Sequence, residues 1–198
     1  MSHPVSQPIS QPVVQPSLSD LVRAALAAPA RCGGTRVVLV DGPAGSGKTT
    51  LSTRLAGALN AQVRHADDMY EGWDGLPVLR DVLVTRVLEP LSRGEQAGFE
   101  RWDWVASARA EHIEVTAAEA LVIEGVGVAQ RASRPYASLV IYVDAPWETR
   151  LMRGVDRDGE SMRPDWELWQ AAEQPFLERQ GTRAAADVVV DGTQPVPD

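Results

Sequence analysis

Apolar runs alternate with amphipathic stretches over most of the chain. Short runs rich in apolar residues predict strands, which span 35–41, 62–66, 120–124, 139–144 and 187–190. Between them, apolar positions that recur every three or four residues predict helices, and Leu51, Leu55 and Leu59 give the clearest example. Strands and helices that alternate in this way indicate an α/β fold, with a parallel sheet covered by helices on both faces.

The predicted helices have recognisable starts and stops. They span 17–28, 50–59, 76–91, 147–157 and 165–180. Ser17 and Asp20 have the spacing of a capping box at the start of the first helix. Pro90 is expected to bend or end the third helix, because proline lacks the N–H that a helix needs. The segments 99–105 and 112–115 are predicted to form a small hairpin or extension.

The first 16 residues differ in composition from the rest of the chain. Prolines recur at every fourth position between Pro4 and Pro16, and a glutamine precedes each of the last three. Such a segment cannot bury a core, so 1–16 is predicted to be an extended, disordered tail. A partner-binding role for this tail is left open. The folded domain is predicted to span 17–198.

A phosphate-binding motif lies between the first predicted strand and the second predicted helix. Residues 42–49 match G-x-x-x-x-G-K-[ST] at every fixed position. Glycines let such a loop aim successive N–H groups at phosphate oxygens, and the following helix adds its positive end. The motif predicts binding of ATP or GTP, with Lys48 on the β/γ-phosphates and Thr49 on Mg²⁺. The predicted nucleotide-binding residues are Gly42, Ala44, Gly45, Ser46, Gly47, Lys48, Thr49 and Thr50.

Carboxylates lie at or just past the ends of three predicted strands, at Asp41, Asp67 and Glu124. In open α/β sheets the ligand binds at the carboxyl ends of the strands. Asp67 or its neighbour Asp68 is a candidate base for an acceptor hydroxyl and a candidate contact of the Mg²⁺ shell. Glu124, after an apolar run, is a candidate Mg²⁺ ligand. The alternative interpretations are an aspartate pair that caps a turn and a solvent-facing strand end.

Three arginines recur at i, i+3 and i+7 on a predicted helix: Arg150, Arg153 and Arg157. Without partners these cations would repel one another, whereas opposite a triphosphate they would stabilise the charge of a transition state. The alternative is a solvated helix face on which the arginines pair with Glu148 and Asp156.

Tryptophan stands next to aspartate twice, at Trp73-Asp74 and at Trp102-Asp103-Trp104. Aromatic rings can stack on a sugar or a base, and carboxylates accept hydrogen bonds from hydroxyl groups. Core tryptophans beside a turn are the equally weighted alternative. Four other ring-bearing side chains are predicted to be structural: His65, His112, Trp166 and Trp169.

Composition limits the class of protein. With 198 residues, the chain is predicted to form one domain with a substantial core. A net charge of −8 disfavours a nucleic-acid partner, since such proteins usually carry a basic face. Cys32 is the only cysteine, which suits a reducing cytoplasm, and neither a membrane helix nor a signal peptide is recognised. A cytoplasmic location is therefore expected, and a homo-oligomer is compatible with the sequence.

Several segments, taken in order, resemble the uridine (uridine–cytidine) kinase family. They are the phosphate-binding loop and the segments 67–70, 102–105, 122–126, 143–144, 150–158 and 186–190. The loop alone is unspecific, whereas 67–70 and 150–158 together are far more characteristic. The resemblance covers about residues 35–191, and the phosphoribulokinase and pantothenate kinase branches share its overall plan.

The resemblance implies a nucleoside-monophosphate-kinase-like P-loop fold with a mobile helical lid at about 150–165. It also implies transfer of a phosphoryl group from ATP, with Mg²⁺, to a small-molecule acceptor such as the 5′-hydroxyl of uridine or cytidine. The implied catalytic residues are Lys48, Asp67, Arg153 and Arg157. The implied Mg²⁺ site is Thr49, Asp67 and Glu124. The implied acceptor site is Asp67, Tyr70, Asp74, Trp102, Asp103 and Arg163.

The chain departs from the family pattern where the acceptor would bind. Family members usually carry Tyr-Asp-Phe or Tyr-Asp-His where this chain has Trp102-Asp103-Trp104. A histidine expected shortly afterwards is replaced by Ala106 or Ser107, and the stretch from Tyr70 to Trp102 is short. Two alternatives therefore stay open: a kinase for a pantothenate-like or sugar-like acceptor, and an ATP-binding regulator or NTPase without a small acceptor.

Overall fold

A five-stranded sheet and a separate two-stranded hairpin organise the chain. The computed structural model describes residues 15–198, so most of the predicted tail, residues 1–14, lies outside the described residues. The elements are α1 (Leu18–Ala27), β1 (Arg36–Asp41), α2 (Lys48–Leu59), β2 (Gln62–His65), α3 (Glu89–Ser92), β3 (Ala97–Asp103), β4 (Ala108–Val115), β5 (Ala120–Glu124), β6 (Ala137–Asp144), α4 (Trp147–Asp158), α5 (Arg163–Gln180) and β7 (Val188–Asp191). A π-helix, Asp81–Leu88, runs directly into α3.

β1 is the central strand of the main sheet, whose order is β2-β5-β1-β6-β7. Every pairing in this sheet is parallel. Val37 and Leu39 of β1 enter the core on one face, whereas Val38 and Val40 enter the core on the other. Because both faces are buried, the strand is apolar throughout. The predicted α/β fold with a parallel sheet is confirmed.

Helices cover both faces of this sheet. On one face α1 and α2 pack through residues such as Leu21 and Leu55. On the other face the π-helix and α5 pack through residues such as Leu83 and Leu177. In the part of the chain that the structure describes, no helix is both long and apolar enough to cross a membrane. The parallel crossovers bring the carboxyl ends of all five strands to one edge of the sheet.

The third helix differs from the predicted helix at 76–91. Residues 76–78 form a turn, and the π-helix and α3 carry the helical path to Ser92. Within it the Glu89 N–H donates to the oxygen of Val84, five residues earlier. In a regular α-helix a proline ring clashes with the carbonyl four residues earlier. A π turn, with its hydrogen bond to the fifth residue back, is wider and leaves room for the ring. Pro90 therefore does not end the helix.

The predicted hairpin is present, with different bounds. Ala97 pairs with Val115, and the two strands run antiparallel to the turn after β3. Trp104 and the residue after it, predicted to extend the first strand, belong to that turn instead. The reason is Asp103, whose Oδ1 accepts the N–H groups of the second and third residues that follow it, both at 2.9 Å. Aspartate commonly closes a turn in this way.

The two ends of the described chain lie together beside β7. The Leu18 N–H donates to the oxygen of Pro197 at 2.7 Å. Arg54 of α2 donates to the oxygen of Val196 at 2.6 Å. Gln15, which the sequence assigned to the tail, forms side-chain hydrogen bonds with the main chain of Asp191. Gln15 is thus placed against the edge of the sheet.

Candidate active site

The phosphate-binding loop joins β1 to α2 along a tight path. Gly42 and Gly45 have φ angles of +139° and +78°, which L side chains rarely adopt. A Cβ at Gly42 would collide with the carbonyl oxygen of Val143, and one at Gly45 would collide with that of Arg150. The loop is therefore pressed against β6 and α4, and only glycine fits at these two positions.

The inside of this loop suits an anion. α2 begins at Lys48, so the N–H groups of its first turn face the loop without partners inside the helix. Lys48 is buried, and its Nζ donates to the oxygen of Pro43 at 2.9 Å. Among the described residues, the buried hydroxyl of Ser46 has no hydrogen-bond partner. Phosphate oxygens would satisfy both the N–H groups and this hydroxyl, so the loop fits a nucleotide.

Asp41, at the end of β1, ties the phosphate-binding loop to the loop after β5. Its Oδ1 accepts the N–H groups of Gly42 at 2.6 Å and Gly127 at 2.7 Å, and its Oδ2 accepts that of Ala129 at 2.7 Å. Burial raises the pKa of Asp41 to about 6, although the three N–H donors act against that rise. The sequence indicated only a strand-end carboxylate here. An acid directly before the first glycine of the motif was the available signal.

A buried ion pair supports the same loop from α5. Glu173 accepts the Ala44 N–H at 2.8 Å and pairs with Arg150 at 2.6 Å. Arg150 also donates to the oxygens of Ala145 at 3.0 Å and Ala44 at 3.3 Å. Burial raises the pKa of Glu173, and the charge of Arg150 opposes this rise. Arg150 is therefore buried and does not belong to the predicted stripe of arginines. The sequence did not predict this pair, because Glu173 lies far from Arg150 along the chain.

Glu124, at the end of β5, is the carboxylate next to the phosphate-binding loop. Its Oε1 accepts a hydrogen bond from the Thr49 hydroxyl at 3.1 Å and lies 2.7 Å from Nδ1 of His65. Although burial acts to raise it, the pKa of Glu124 is lowered by the hydrogen bond with His65 and the charge of Lys48. The same hydrogen bond raises the pKa of His65. His65, predicted to be only structural, thus contacts a predicted Mg²⁺ ligand.

Asp67 lies in the short 3₁₀ turn after β2 and is open to solvent. Desolvation by the surrounding walls, followed by the charge of Glu124, raises the pKa of its carboxyl. Lys48 and Arg157 are close enough to oppose this rise. The fold thus brings the predicted base, the predicted Mg²⁺ ligand and two predicted catalytic cations to one place. A carboxylate with a raised pKa is suited to accept a proton.

Aromatic side chains form a wall beside Asp67. Trp169 of α5 packs edge-on against Tyr70 and Trp73, with ring centroids 5.2 and 5.9 Å apart, and Trp73 packs against Trp104 at 5.5 Å. The Trp104 indole N–H donates to the main-chain oxygen of Asp67 at 2.9 Å, so this aromatic wall adjoins the carboxylate. Trp73 and Trp104 are 37% and 38% exposed. Tyr70 is buried, and its hydroxyl donates to a main-chain oxygen after β5 at 2.6 Å.

Trp102 and Asp103 are held within the hairpin. The Arg109 guanidinium lies over the Trp102 ring, 5.6 Å from its centroid. The Asp103 carboxylate closes the turn and pairs with Arg101 at 3.4 Å. Asp74 ends the 3₁₀ turn that contains Trp73 of the aromatic wall. Contacts of Trp102, Asp103 and Asp74 with an acceptor stay predictions.

The lid arginines lie in different surroundings. Arg157 pairs with Asp158 at 2.7 Å, and its guanidinium lies over the Trp166 ring. Arg163, at the start of α5, pairs with Glu160 and is partly exposed. Arg157 is thus close to the site, while a role for Arg163 and the motion of the 150–165 lid stay predictions.

A cavity of about 430 Å³ adjoins the phosphate-binding loop on the side of β7. It is lined by Gly47 and Thr50 at the start of α2, by Arg153, and by residues 192–196. Arg153 donates to the oxygens of Gly45 at 3.3 Å and Gly192 at 3.0 Å, so it bridges the loop and the segment after β7. A planar guanidinium is a good stacking partner for an aromatic ring. This cavity is the candidate site for the base of a nucleotide whose phosphates lie in the loop.

Oxygen ligands suitable for Mg²⁺ lie beside the loop. Within residues 15–198, no three His, Cys, Asp or Glu side chains converge as a self-contained metal site. Mg²⁺ keeps several waters and shares substrate phosphates, so it needs only one or two carboxylates from the protein. The hydrogen-bonded pair of Thr49 and Glu124 provides two hard oxygen donors next to the loop, which fits this requirement. Asp67 stays the predicted third contact.

No protein-family model matches the sequence, and no curated protein matches it. Solved structures do match. A protein described as a possible uridine kinase from Bacillus stearothermophilus superposes with a TM-score of 0.64 at 25% identity, over 88% of this chain and 97% of that one. A candidate fructose transport system kinase from Silicibacter sp. TM1040 gives 0.64 at 20% identity, over 87% and 98%. The chain has the fold of the P-loop kinases. This likeness confirms the fold that the resemblance implied and does not identify the acceptor.

We expect Glu173→Gln to lower the free energy of unfolding by about 3–5 kcal/mol, because it leaves Arg150 buried without its counter-charge in this P-loop kinase fold. Urea titration measures the change. Glu178→Gln, exposed on the same helix, is the matched control and should change it by less than about 0.5 kcal/mol. A loss below about 1 kcal/mol for Glu173→Gln would contradict the supporting role of the pair.

Proposed function

We propose that the protein is an ATP- and Mg²⁺-dependent kinase that phosphorylates a hydroxyl group of a small molecule. The observation that carries this proposal is Asp67, which is open to solvent and within electrostatic reach of Lys48, Glu124 and Arg157. A nucleotide switch needs the phosphate-binding loop, but it needs no exposed acid beside an aromatic wall. The similarity to a solved protein described as a possible uridine kinase adds support.

The nucleotide is proposed to lie across the phosphate-binding loop with its base in the cavity beside β7. The loop N–H groups, Lys48 and the Ser46 hydroxyl would bind phosphate oxygens, and Arg153 would contact the base. Thr49 and Glu124 would hold Mg²⁺, which supplies positive charge against the phosphates when bound.

Asp67 is proposed as the base for the acceptor. As the acceptor oxygen bonds to the γ-phosphorus, the bond from that phosphorus to the oxygen of the leaving ADP breaks, and the hydroxyl proton passes to the Asp67 carboxylate. The raised pKa of Asp67 suits a group that accepts this proton and later releases it to water. Asp68, in the same 3₁₀ turn, is the alternative base.

Positive charge for the transition state is proposed to come from Lys48 and Arg157. Lys48 is fixed inside the loop, and Arg157 acts on Asp67 and Glu124 from α4. Arg153 is held by three main-chain oxygens, so we assign it mainly to the nucleotide side. Arg163 would contribute only if the 150–165 segment closes over the site.

The acceptor is proposed to be a neutral, ring-bearing alcohol, with the 5′-hydroxyl of uridine or cytidine as the leading choice. Trp73 and Trp104 offer half-exposed rings on which a base or a sugar can stack. Asp67 adjoins this wall, and Asp74 follows Trp73 along the chain, so we expect an acceptor with a carboxylate, such as pantothenate, to be a poorer substrate than a neutral one. A sugar is the second candidate, since stacking does not distinguish it from a nucleoside.

Asp67→Asn should lower kcat by about 100- to 10,000-fold, because an amide cannot take the acceptor proton. The Kd for ATP should stay within a few-fold, since Asp67 faces the acceptor side. Asp68→Asn is the matched comparison and should retain most of the rate. Full activity of Asp67→Asn together with an inactive Asp68→Asn would move the role of base to Asp68.

Lys48→Ala should raise the Kd for ATP by about tenfold or more, because it removes a buried charge-assisted contact with phosphate. Isothermal titration calorimetry measures this affinity directly, and kcat should fall as well. Arg23→Ala, which alters an exposed arginine on α1 outside the site, is the control and should leave both the Kd for ATP and kcat unchanged. Unchanged ATP binding in Lys48→Ala would undercut the assignment of the loop.

Release of ADP from Mg·ATP should be stimulated by uridine or cytidine more than by fructose, and not at all by pantothenate. A coupled assay with each compound at equal concentration measures this order. Stimulation by fructose alone would make the protein a sugar kinase. ATP hydrolysis that no acceptor stimulates would favour the regulator or NTPase alternative.

A further inference from the structure

Gln15 makes an unusual contact with the end of the sheet. Its side-chain Nε2 donates to the oxygen of Asp191 at 3.0 Å, and its Oε1 accepts the Asp191 N–H at 3.0 Å. Nε2 also lies 3.3 Å from the oxygen of Gln194. One side-chain amide thus pairs in both directions with the last residue of β7 and also reaches the turn that follows.

That turn is a wall of the cavity beside the phosphate-binding loop. The lining of the cavity includes every residue from Gly192 to Val196. Asp191 closes the turn from within, since its Oδ1 accepts the N–H of Thr193 at 2.8 Å and its main-chain oxygen accepts the N–H of Gln194 at 3.2 Å. The position of the wall therefore depends on the position of Asp191.

The wall is held from two sides. On the loop side, the Gly192 N–H donates to the oxygen of Asp144 at 2.7 Å, and Arg153 donates to the oxygen of Gly192 at 3.0 Å. On the opposite side, Gln15 holds Asp191 and Gln194. Arg54 fixes only the later end of the segment, at Val196. Within residues 15–198, Gln15 is thus the side chain from outside this turn that reaches its middle, at Gln194.

We propose that Gln15 is a positioning residue for the nucleotide base, which it serves by fixing the 191–194 wall of the cavity. This inference rests on the proposed nucleotide binding and deepens it. The contacts of Gln15 lie on the base side, whereas Lys48 and Thr49 hold the phosphate side through α2. Loss of Gln15 should therefore weaken recognition of the base and spare recognition of the phosphates.

The test compares two ligands on two proteins. Gln15→Met keeps the length of the side chain and removes all of its hydrogen bonds. Isothermal titration calorimetry with Mg·ATP should give a Kd about three- to tenfold higher for Gln15→Met, which corresponds to the loss of one or two ordinary hydrogen bonds. Inorganic tripolyphosphate, which has no base, should bind both proteins equally. In turnover assays, KM for ATP should rise and kcat should stay unchanged.

Two further variants make the result specific. Gln15→Glu can still accept the Asp191 N–H but cannot donate to the oxygens of Asp191 and Gln194, so it should be at least as weak for ATP as Gln15→Met. Gln174→Met alters an exposed glutamine on α5 whose amide pairs with Glu178 at 2.7 Å, and it should change neither Kd.

Each outcome has a distinct meaning. Unchanged ATP binding in Gln15→Met would overturn the inference and leave the kinase proposal standing. Equal weakening of ATP and tripolyphosphate would also overturn it, because Gln15 would then act on the whole site. Failure of the unaltered protein to bind ATP would overturn the kinase proposal itself, and the role of Gln15 with it.

Discussion

Buried main-chain N–H groups need acceptors, and the loops around this cleft find them in carboxylates instead of in regular secondary structure. Asp41 takes three such groups and Glu173 takes a fourth. A buried carboxylate is itself costly, and the N–H donors and Arg150 compensate for that cost. As a result, the phosphate-binding loop, the loop after β5 and α5 are connected through two side chains. The geometry of the cleft therefore depends on hydrogen bonds from loop N–H groups to these two buried carboxylates.

The strand order divides the cleft into two chemically different halves. β6 and β7 lie on one side of β1, and the segment after β7 lines the cavity that we propose for the base. β5 and β2 lie on the other side; Glu124 ends β5, and Asp67 lies in the turn after β2. The phosphate-binding loop follows the central strand and so lies between the two halves. A phosphoryl group held there would have the rest of its nucleotide on one side. On the other side it would face the proposed acceptor site, formed by Asp67 and the aromatic wall.

The sequence predicted those features that depend on neighbours along the chain. The loop motif, the apolar strands and the strand-end carboxylates are local patterns. The structure places Lys48, Asp67 and Glu124 near one another, and their roles stay predictions. Features that depend on distant partners were missed. Arg150 could not be distinguished from Arg153 and Arg157 in the sequence, because its partner Glu173 lies 23 residues further along the chain. The contact between His65 and Glu124 was missed because it depends on the pairing of β2 with β5. The π-helix before Pro90 was also missed, since a periodic apolar pattern does not distinguish a four-residue from a five-residue hydrogen bond.

Gln15 has a second consequence, which concerns encounters between molecules. β7 is one of the two edge strands of the sheet, and an exposed edge presents free N–H and C=O groups on which a strand from another chain can assemble. At Asp191 the amide of Gln15 already occupies both groups. The side chain that positions a cavity wall therefore also blocks the end of this edge against intermolecular strand addition, a common first step of aggregation.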